Sequence, residues 1–300
     1  MVHIVGAGPG AVDLITVRGY SLLQKADVII YAGSLVNKEL LEIAGEGAQL
    51  YDSAQMTLEE VMETVERAEK GGLVTVRLHT GDPCLYGAVR EQMDWMDSKG
   101  IRYDICPGVS SFCGAASALE MEYTLPGITQ SVIITRMAGR TPVPERESIR
   151  SMAAHRSTMV VFLSAGMLGE LSEELKAGGC SPQTPAAIVY KATWPDEKVV
   201  RCTVGTLAQA ADQEQIRKTA LIVVGESVGR RDTSAPSCTI LNSPRNSGGK
   251  NQFGSRRHVC GGYGTRKQGA DDGPGPGCAG TVPGDCRVYG VCGSGPGVFS

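Results

Sequence analysis

The chain has 300 residues with a formal net charge of −3, and 42% of its residues are hydrophobic. It contains no run of 18 apolar residues and no basic segment followed by an apolar one, so we expect neither a membrane span nor a secretory signal. The cysteines before residue 230 have no metal-ligand spacing, which predicts reduced thiols in a cytoplasmic protein and no metal site.

The composition changes near residue 230. Residues 230–300 contain 16 of the 39 glycines but only 9 Val, Ile, Leu and Phe residues, too few for a packed core. We predict an irregular tail, either disordered or derived from a shifted reading frame, that is dispensable for activity. Its cysteine spacings match no standard zinc pattern. The tail has nine basic and four acidic residues, which leaves −8 on residues 1–229 and argues against a nucleic-acid partner.

Short β-rich runs alternate with helical patterns along the first 120 residues. The clearest helix begins after Thr57, which forms a capping box with Glu60, and Gly71 ends it. Such alternation is typical of a mostly parallel sheet with helices on both faces. Strands are predicted at residues 2–5, 28–31, 49–51, 73–78 and 101–105.

A second series of elements follows Leu125-Pro126-Gly127. The gap between residues 190 and 198 is too short for a crossover, so the two strands that flank it are predicted to be antiparallel. The chain is therefore predicted to be an α/β protein of two α/β domains, residues 1–120 and 121–229, with the active-site cleft between them. The strands of the second series are predicted at residues 131–135, 158–163, 186–190, 198–204 and 220–224, and its helices at 145–154, 166–177 and 206–215.

Glycine-rich turns follow the first, fourth and fifth strands. The first turn, Gly6-Ala7-Gly8-Pro9-Gly10, bends without a Cβ in the way, so that a ligand can approach the main chain. With Ala11 it matches the dinucleotide fingerprint, but the second strand ends without the carboxylate that would bind a ribose. An NAD site is therefore disfavoured. The other turns are Thr80-Gly81-Asp82-Pro83-Cys84-Leu85-Tyr86-Gly87 and Pro107-Gly108-Val109-Ser110-Ser111.

Together the three turns resemble those of the tetrapyrrole (corrin/porphyrin) methylases, and the resemblance covers residues 1 to about 229. Within that family, residues 31–36, 135–145 and 190–197 resemble the members that methylate C11 of precorrin-4 or cobalt-precorrin-4. The resemblance implies the tetrapyrrole methylase fold, a homodimer, a corrinoid substrate and S-adenosylmethionine as methyl donor. Many relatives carry an acidic residue where this chain has Gly33, so no catalytic base is assigned.

The resemblance also implies a set of residues that bind the methyl donor. Asp82 and the two serines of the third turn have ordinary alternatives as helix N-caps, with Asp82 capping a helix that starts near Tyr86. The implied donor site consists of Pro9, Thr80, Gly81, Asp82, Leu85, Ser110, Ser111, Leu163 and Ala192.

Three cations are candidates to bind the carboxylates of the substrate. Arg136, Arg140 and Lys191 each follow a strand end on the predicted cleft side.

The sequence does not decide whether the substrate ring already holds cobalt. Two other functions are also compatible with the sequence. One is a methyltransferase that uses S-adenosylmethionine on another corrin position, on uroporphyrinogen III, or on a protein or RNA side chain. The other is a non-catalytic ligand-binding module. Binding of the donor combined with a methyl-transfer assay separates the three functions.

Overall fold

The computed structural model describes residues 1–139 and 141–229, all of which fall within one compact unit. Arg140 and residues 230–300, with the predictions made for them, lie outside the described residues. Within the described part, no helix is long and apolar enough to cross a membrane.

The first sheet contains five strands, all parallel, in the spatial order β3-β2-β4-β1-β5. The predicted parallel sheet is confirmed, with strand ends that differ from the prediction by at most two residues. The strands are β1 (Val2–Gly6), β2 (Val28–Tyr31), β3 (Gln49–Asp52), β4 (Thr75–His79) and β5 (Tyr103–Cys106).

Helices cover both faces of this sheet, as predicted. On one face, Leu23 of the first helix packs in a buried cluster with Ile29 and Leu78. The capping box of the second helix is present, because Thr57 and Glu60 each accept a hydrogen bond from the other's backbone N–H. The helices of this half are α1 (Val17–Gln24), α2 (Leu58–Lys70) and α3 (Arg90–Ser98).

The second sheet is mixed, with the order β6-β7-β10-β8-β9. Its strands are β6 (Val132–Arg136), β7 (Thr158–Phe162), β8 (Pro185–Tyr190), β9 (Lys198–Thr203) and β10 (Ala220–Val224). The predicted antiparallel pairing of β8 with β9 is confirmed. Strand β10 is antiparallel to both of its neighbours, and Ala220 at its start pairs with Tyr190 at the end of β8. The amino end of β10 and the carboxyl ends of β7 and β8 therefore share one edge.

The helices of the second half are α4 (Ser111–Ala118), α5 (Ile149–Ala153), α6 (Leu168–Ala177), α7 (Leu207–Gln213) and α8 (Glu226–Gly229). Although α4 follows the last strand of the first sheet, its Ala115 packs against Val160 and Val189 of the second sheet. This helix thus links the two sheets, and a domain boundary at residue 120 stays a prediction. The predicted helix at 145–154 is split, because Ser148 is extended and caps α5 through the Ser151 N–H.

Candidate active site

The strand order brings the three glycine-rich turns together. Strand β1 lies between β4 and β5, and its register pairs Gly6 with His79 and Val5 with Cys106. Since parallel strands end at the same edge, the three turns leave the sheet side by side with the first in the middle.

The first and second turns are joined by their backbones. The Gly8 N–H donates to the Gly81 carbonyl at 3.2 Å, and the Gly81 N–H donates to the Gly8 carbonyl at 2.8 Å. A Cβ on Gly6 would lie 2.6 Å from both Gly108 Cα and the Gly81 carbonyl oxygen. The sequence interpretation of Gly6 was therefore incomplete: its missing side chain lets the turns pack on one another, in addition to any approach by a ligand.

Asp82 ties the second turn to the third. Its Oδ1 accepts from the Cys84 N–H and its Oδ2 from the Gly108 N–H, each at 2.8 Å. Burial alone would raise the pKa of Asp82, but hydrogen bonds from Cys84 and Gly108 outweigh burial and hold this pKa below its usual value. The alternative role of Asp82 as a helix N-cap is wrong, because the next helix starts at Arg90 with Val89 as its N-cap residue.

The edge of the second sheet faces these turns across a cavity of about 450 Å³, a size within the range of small-molecule sites. All nine residues predicted to contact the methyl donor line this cavity, and so does Lys191. Residues from both sheets therefore meet in the predicted cleft. The lining residues that were not predicted to contact a ligand include Ser34, Leu35, Tyr86, Phe162, Trp194, Arg217, Lys218 and Thr219.

Arg136 ends β6 opposite Phe162, at the edge of the second sheet that faces the cavity. It is not among the residues that line the cavity. Its guanidinium donates to the carbonyl oxygens of Met137, Thr141 and Pro142 at 3.1–3.2 Å. Through these hydrogen bonds, Arg136 stabilises the loop that follows β6.

The serines of the third turn keep polar groups at the cavity wall. Ser110 is buried and is the N-cap residue of α4, but its side chain makes no capping hydrogen bond. Ser110 therefore occupies the N-cap position, as the alternative predicted, but its hydroxyl does not cap the helix. This hydroxyl, Asp82 and the turn backbones provide polar contacts beside the apolar walls formed by Leu163, Phe162 and Ala192.

This combination of groups fits S-adenosylmethionine. The donor needs apolar surfaces for its adenine and sulfonium methyl, and a few oriented polar groups for its ribose and amino acid. It has no phosphate, so Pro9, which lacks an N–H, is no handicap in the first turn. Among the described residues, no group of three His, Cys, Asp or Glu side chains is arranged to hold a metal ion.

Leu163 has a strained backbone at the cavity wall. Its φ is 52°, in the left-handed region that disfavours bulky side chains, and the residue is 69% exposed. A leucine that is neither relaxed nor buried contributes little to the fold, which indicates a role toward a ligand.

We expect Leu163→Gly to raise the free energy of unfolding by up to about 1 kcal/mol, because glycine adopts positive φ without strain. The same change should weaken binding of S-adenosylhomocysteine by about tenfold, since an apolar contact worth roughly 1–2 kcal/mol is lost. Urea unfolding and isothermal titration measure the two effects. A destabilised variant with unchanged affinity would assign Leu163 to the fold instead.

The family comparison agrees with this architecture. Residues 1–208 match the protein family described as "Tetrapyrrole (Corrin/Porphyrin) Methylases". The cobalt-precorrin-4 C(11)-methyltransferase of Methanocaldococcus jannaschii is 51% identical over 225 residues, which cover 75% of this chain and 87% of the relative. The precorrin-4 C(11)-methyltransferase of Sinorhizobium sp is 44% identical over 235 residues, with coverages of 77% and 91%.

Solved structures show the same likeness. A cobalt precorrin-4 methyltransferase superposes with a TM-score of 0.74 at 47% identity, over 76% of this chain and 95% of that one. The uroporphyrin-III C-methyltransferase of Thermus thermophilus, solved with S-adenyl homocysteine, gives a TM-score of 0.64 at 28% identity, with coverages of 76% and 93%. The chain belongs to the tetrapyrrole (corrin/porphyrin) methylase family.

Proposed function

We propose that the chain transfers a methyl group from S-adenosylmethionine to C11 of precorrin-4 or cobalt-precorrin-4, in the synthesis of the corrin ring of cobalamin. The observation that carries this proposal is the meeting of all nine predicted donor-site residues around one cavity between the two sheets. Relatives that share 51% and 44% of their aligned residues with this chain are named for this reaction, with and without cobalt.

The chemistry requires positioning more than acid–base catalysis. S-adenosylmethionine supplies an electrophilic methyl group on a sulfonium, and the nucleophile is an electron-rich ring carbon. The three turns form one wall of the cavity, and Leu163, Phe162 and Val189 provide apolar surface on the opposite wall. Such alignment can contribute roughly 7–11 kcal/mol to lowering the barrier.

The titratable residues near the turns do not form a catalytic pair. His79 is buried, and burial followed by the charge of Arg77 lowers its pKa to about 3. His79 does not line the cavity, and its Nε2 has no hydrogen-bond partner among the described residues. Asp52 accepts from the Ala54 N–H. Of His79, Asp52 and Tyr86, only Tyr86 lies on the cavity wall.

We expect no single essential base. His79→Gln, Asp52→Asn and Tyr86→Phe should each reduce the single-turnover rate by less than the ~10²–10⁴-fold typical of a lost acid–base group. Rapid-quench measurements at saturating donor and substrate test this directly. A fall beyond ~10⁴-fold in one variant that still binds both ligands would identify a base.

The charge of the cavity suits a substrate with several carboxylates. Of the charged residues that line it, three are cations and one is the carboxylate of Asp82. Lys191 is paired with Asp196 at 2.6 Å and Arg217 with Asp212 at 2.7 Å. Lys218 is exposed and has no ion pair within the described part of the chain. We propose Lys218, Arg217 and the predicted Lys191 as substrate anchors, while Arg136 and Arg140 stay predictions.

Lys218→Ala is expected to raise KM for the tetrapyrrole about fivefold to tenfold, the lower end of what a lost charge-assisted hydrogen bond costs at an exposed site. Affinity for S-adenosylhomocysteine should not change. Lys198→Ala is the control, because Lys198 is likewise an exposed lysine of the second half but pairs with Glu214 and lies outside the cavity lining. Equal KM values in both variants would exclude Lys218 as an anchor.

A methyl-transfer assay with three substrates tests the proposed function. The full chain is incubated with S-adenosylmethionine and with precorrin-4, cobalt-precorrin-4 or uroporphyrinogen III. We expect turnover of one or both precorrin-4 forms and none of uroporphyrinogen III. Turnover of uroporphyrinogen III alone would assign the chain to a different step, and donor binding without any turnover would indicate a binding module.

We further propose that the active form is a cytoplasmic homodimer.

A further inference from the structure

The connection between β8 and β9 reaches across the cavity to the first turn. The Trp194 Nε1–H donates to the Pro9 carbonyl at 3.0 Å, and the Ala11 N–H donates to Thr193 Oγ1, also at 3.0 Å. These two hydrogen bonds join the second sheet to the first turn directly. Trp194 and Pro9 both line the cavity.

The ring of Trp194 occupies the place of a side chain on Gly10. A Cβ built on Gly10 would lie 2.8 Å from Trp194 Cγ and closer still to two other ring atoms. Gly10 is not among the glycines with positive φ, so the turn itself does not require glycine there. What requires it is the close approach of the indole.

The segment that carries Trp194 is held rigidly. The ammonium of Lys191 lies 5.3 Å from the centre of the Trp194 ring, within the range of a cation–π contact. The Thr193 N–H donates to the Glu197 carboxylate at 2.6 Å. Lys191 and Thr193 both have left-handed backbones, with φ of 46° and 70°, on either side of the buried Ala192. Strain of this kind persists only where the surrounding contacts impose it.

We propose that Trp194 is a positioning residue for the methyl donor, an inference that rests on the proposed function. By joining Pro9 to the segment that holds Ala192, it fixes the separation of two opposite cavity walls. A donor bound between these walls is held in line with the ring carbon only while that separation is maintained.

The chain contains two tryptophans, and the other one supplies a matched control. Trp95 lies on α3 and donates its Nε1–H to Glu66 at 2.9 Å, and it does not line the cavity. Trp194→Phe and Trp95→Phe therefore remove the same donor from the same ring type in two places. Comparable losses of stability are expected from both, because each variant loses one hydrogen bond.

We expect Trp194→Phe to weaken S-adenosylhomocysteine binding about threefold to tenfold, and kcat to fall along with kcat/KM, whereas Trp95→Phe leaves both unchanged. Fluorescence gives an independent signal, because each variant retains one tryptophan. The emission of Trp194 in the Trp95→Phe variant should shift when S-adenosylhomocysteine is added. The emission of Trp95 in the Trp194→Phe variant should not shift.

A double-mutant cycle with Gly10→Ala tests the contact itself. Gly10→Ala should weaken S-adenosylhomocysteine binding strongly in the wild-type chain and much less in Trp194→Ala, where the ring no longer occupies the space. If the wild type binds S-adenosylhomocysteine but Trp194→Phe matches Trp95→Phe in affinity and kcat, the positioning role is refuted and the proposed function stands. If the wild-type chain does not bind S-adenosylhomocysteine, both the positioning role and the proposed function are refuted.

Discussion

Gly6→Ala is expected to destabilise the chain by about 3 kcal/mol, the upper end of the range for overpacked positions. The added Cβ would lie 2.6 Å from Gly108 Cα and the Gly81 carbonyl. Both are backbone atoms, so no side chain can rotate away and the turns must separate. Because all three turns contribute to the proposed donor site, S-adenosylhomocysteine binding should be lost with the stability. Thermal unfolding and isothermal titration measure both effects.

Gly169→Ala is the control for this change. Gly169 is exposed in α6, has no atom within 4 Å of a Cβ built on it, and does not have positive φ. The same added methyl group should there raise stability by up to about 1 kcal/mol, since alanine favours helix over glycine. Opposite signs are therefore expected from one chemical change at two sites. A stable Gly6→Ala variant that binds normally would show that the turns do not pack as described.

Asp82→Ala is expected to cost about 1–3 kcal/mol of stability, because the N–H groups of Cys84 and Gly108 lose their acceptor. Binding of S-adenosylhomocysteine should fall at least tenfold, since the second and third turns are no longer tied together. The pKa of Asp82 is below its usual value in the folded chain. Its contribution is therefore present above the unfolded pKa of about 4 and disappears as the pH falls through the folded pKa.

Asp52→Ala separates this effect from the loss of a local turn. Asp52 accepts from the Ala54 N–H at 3.0 Å in the same two-residue pattern, but does not line the cavity. It should cost less stability than Asp82→Ala and leave S-adenosylhomocysteine affinity unchanged. Unfolding measured between pH 3 and 7 should show the wild type and Asp82→Ala converging at the acid end. A constant difference across that range would mean that the Asp82 carboxylate does not supply the interaction.

The glycine-rich turns are local features of the sequence, and their resemblance to those of the family implies the donor-site residues. Turn positions follow from glycine and proline spacing, and the capping box at Thr57 is a short-range pattern. That Gly6 packs against Gly108 depends on β1 lying between β4 and β5. Strand order is a long-range property that no local pattern contains, so the interlocking of the turns could not be predicted.

The missed cations have a specific cause. Substrate-binding cations were predicted only after the carboxyl ends of strands, where ligands bind in parallel sheets. Because β10 runs antiparallel to β7 and β8, its amino end lies at the cavity, and Arg217 and Lys218 precede it. Trp194 was within a segment already singled out, but its contact with Gly10 joins residues more than 180 positions apart. The only feature of the sequence that could have indicated Trp194 as a cavity residue is its position two residues after Ala192.

The position of the transferred methyl group decides whether the chain methylates C11. Precorrin-4 and cobalt-precorrin-4 are each incubated with the full chain and S-adenosylmethionine carrying carbon-13 in its methyl group, and the product is examined by NMR. We expect one new labelled methyl group, bonded to C11 of the macrocycle. A labelled methyl on any other ring carbon, or no label in the product while the donor binds, would contradict this expectation.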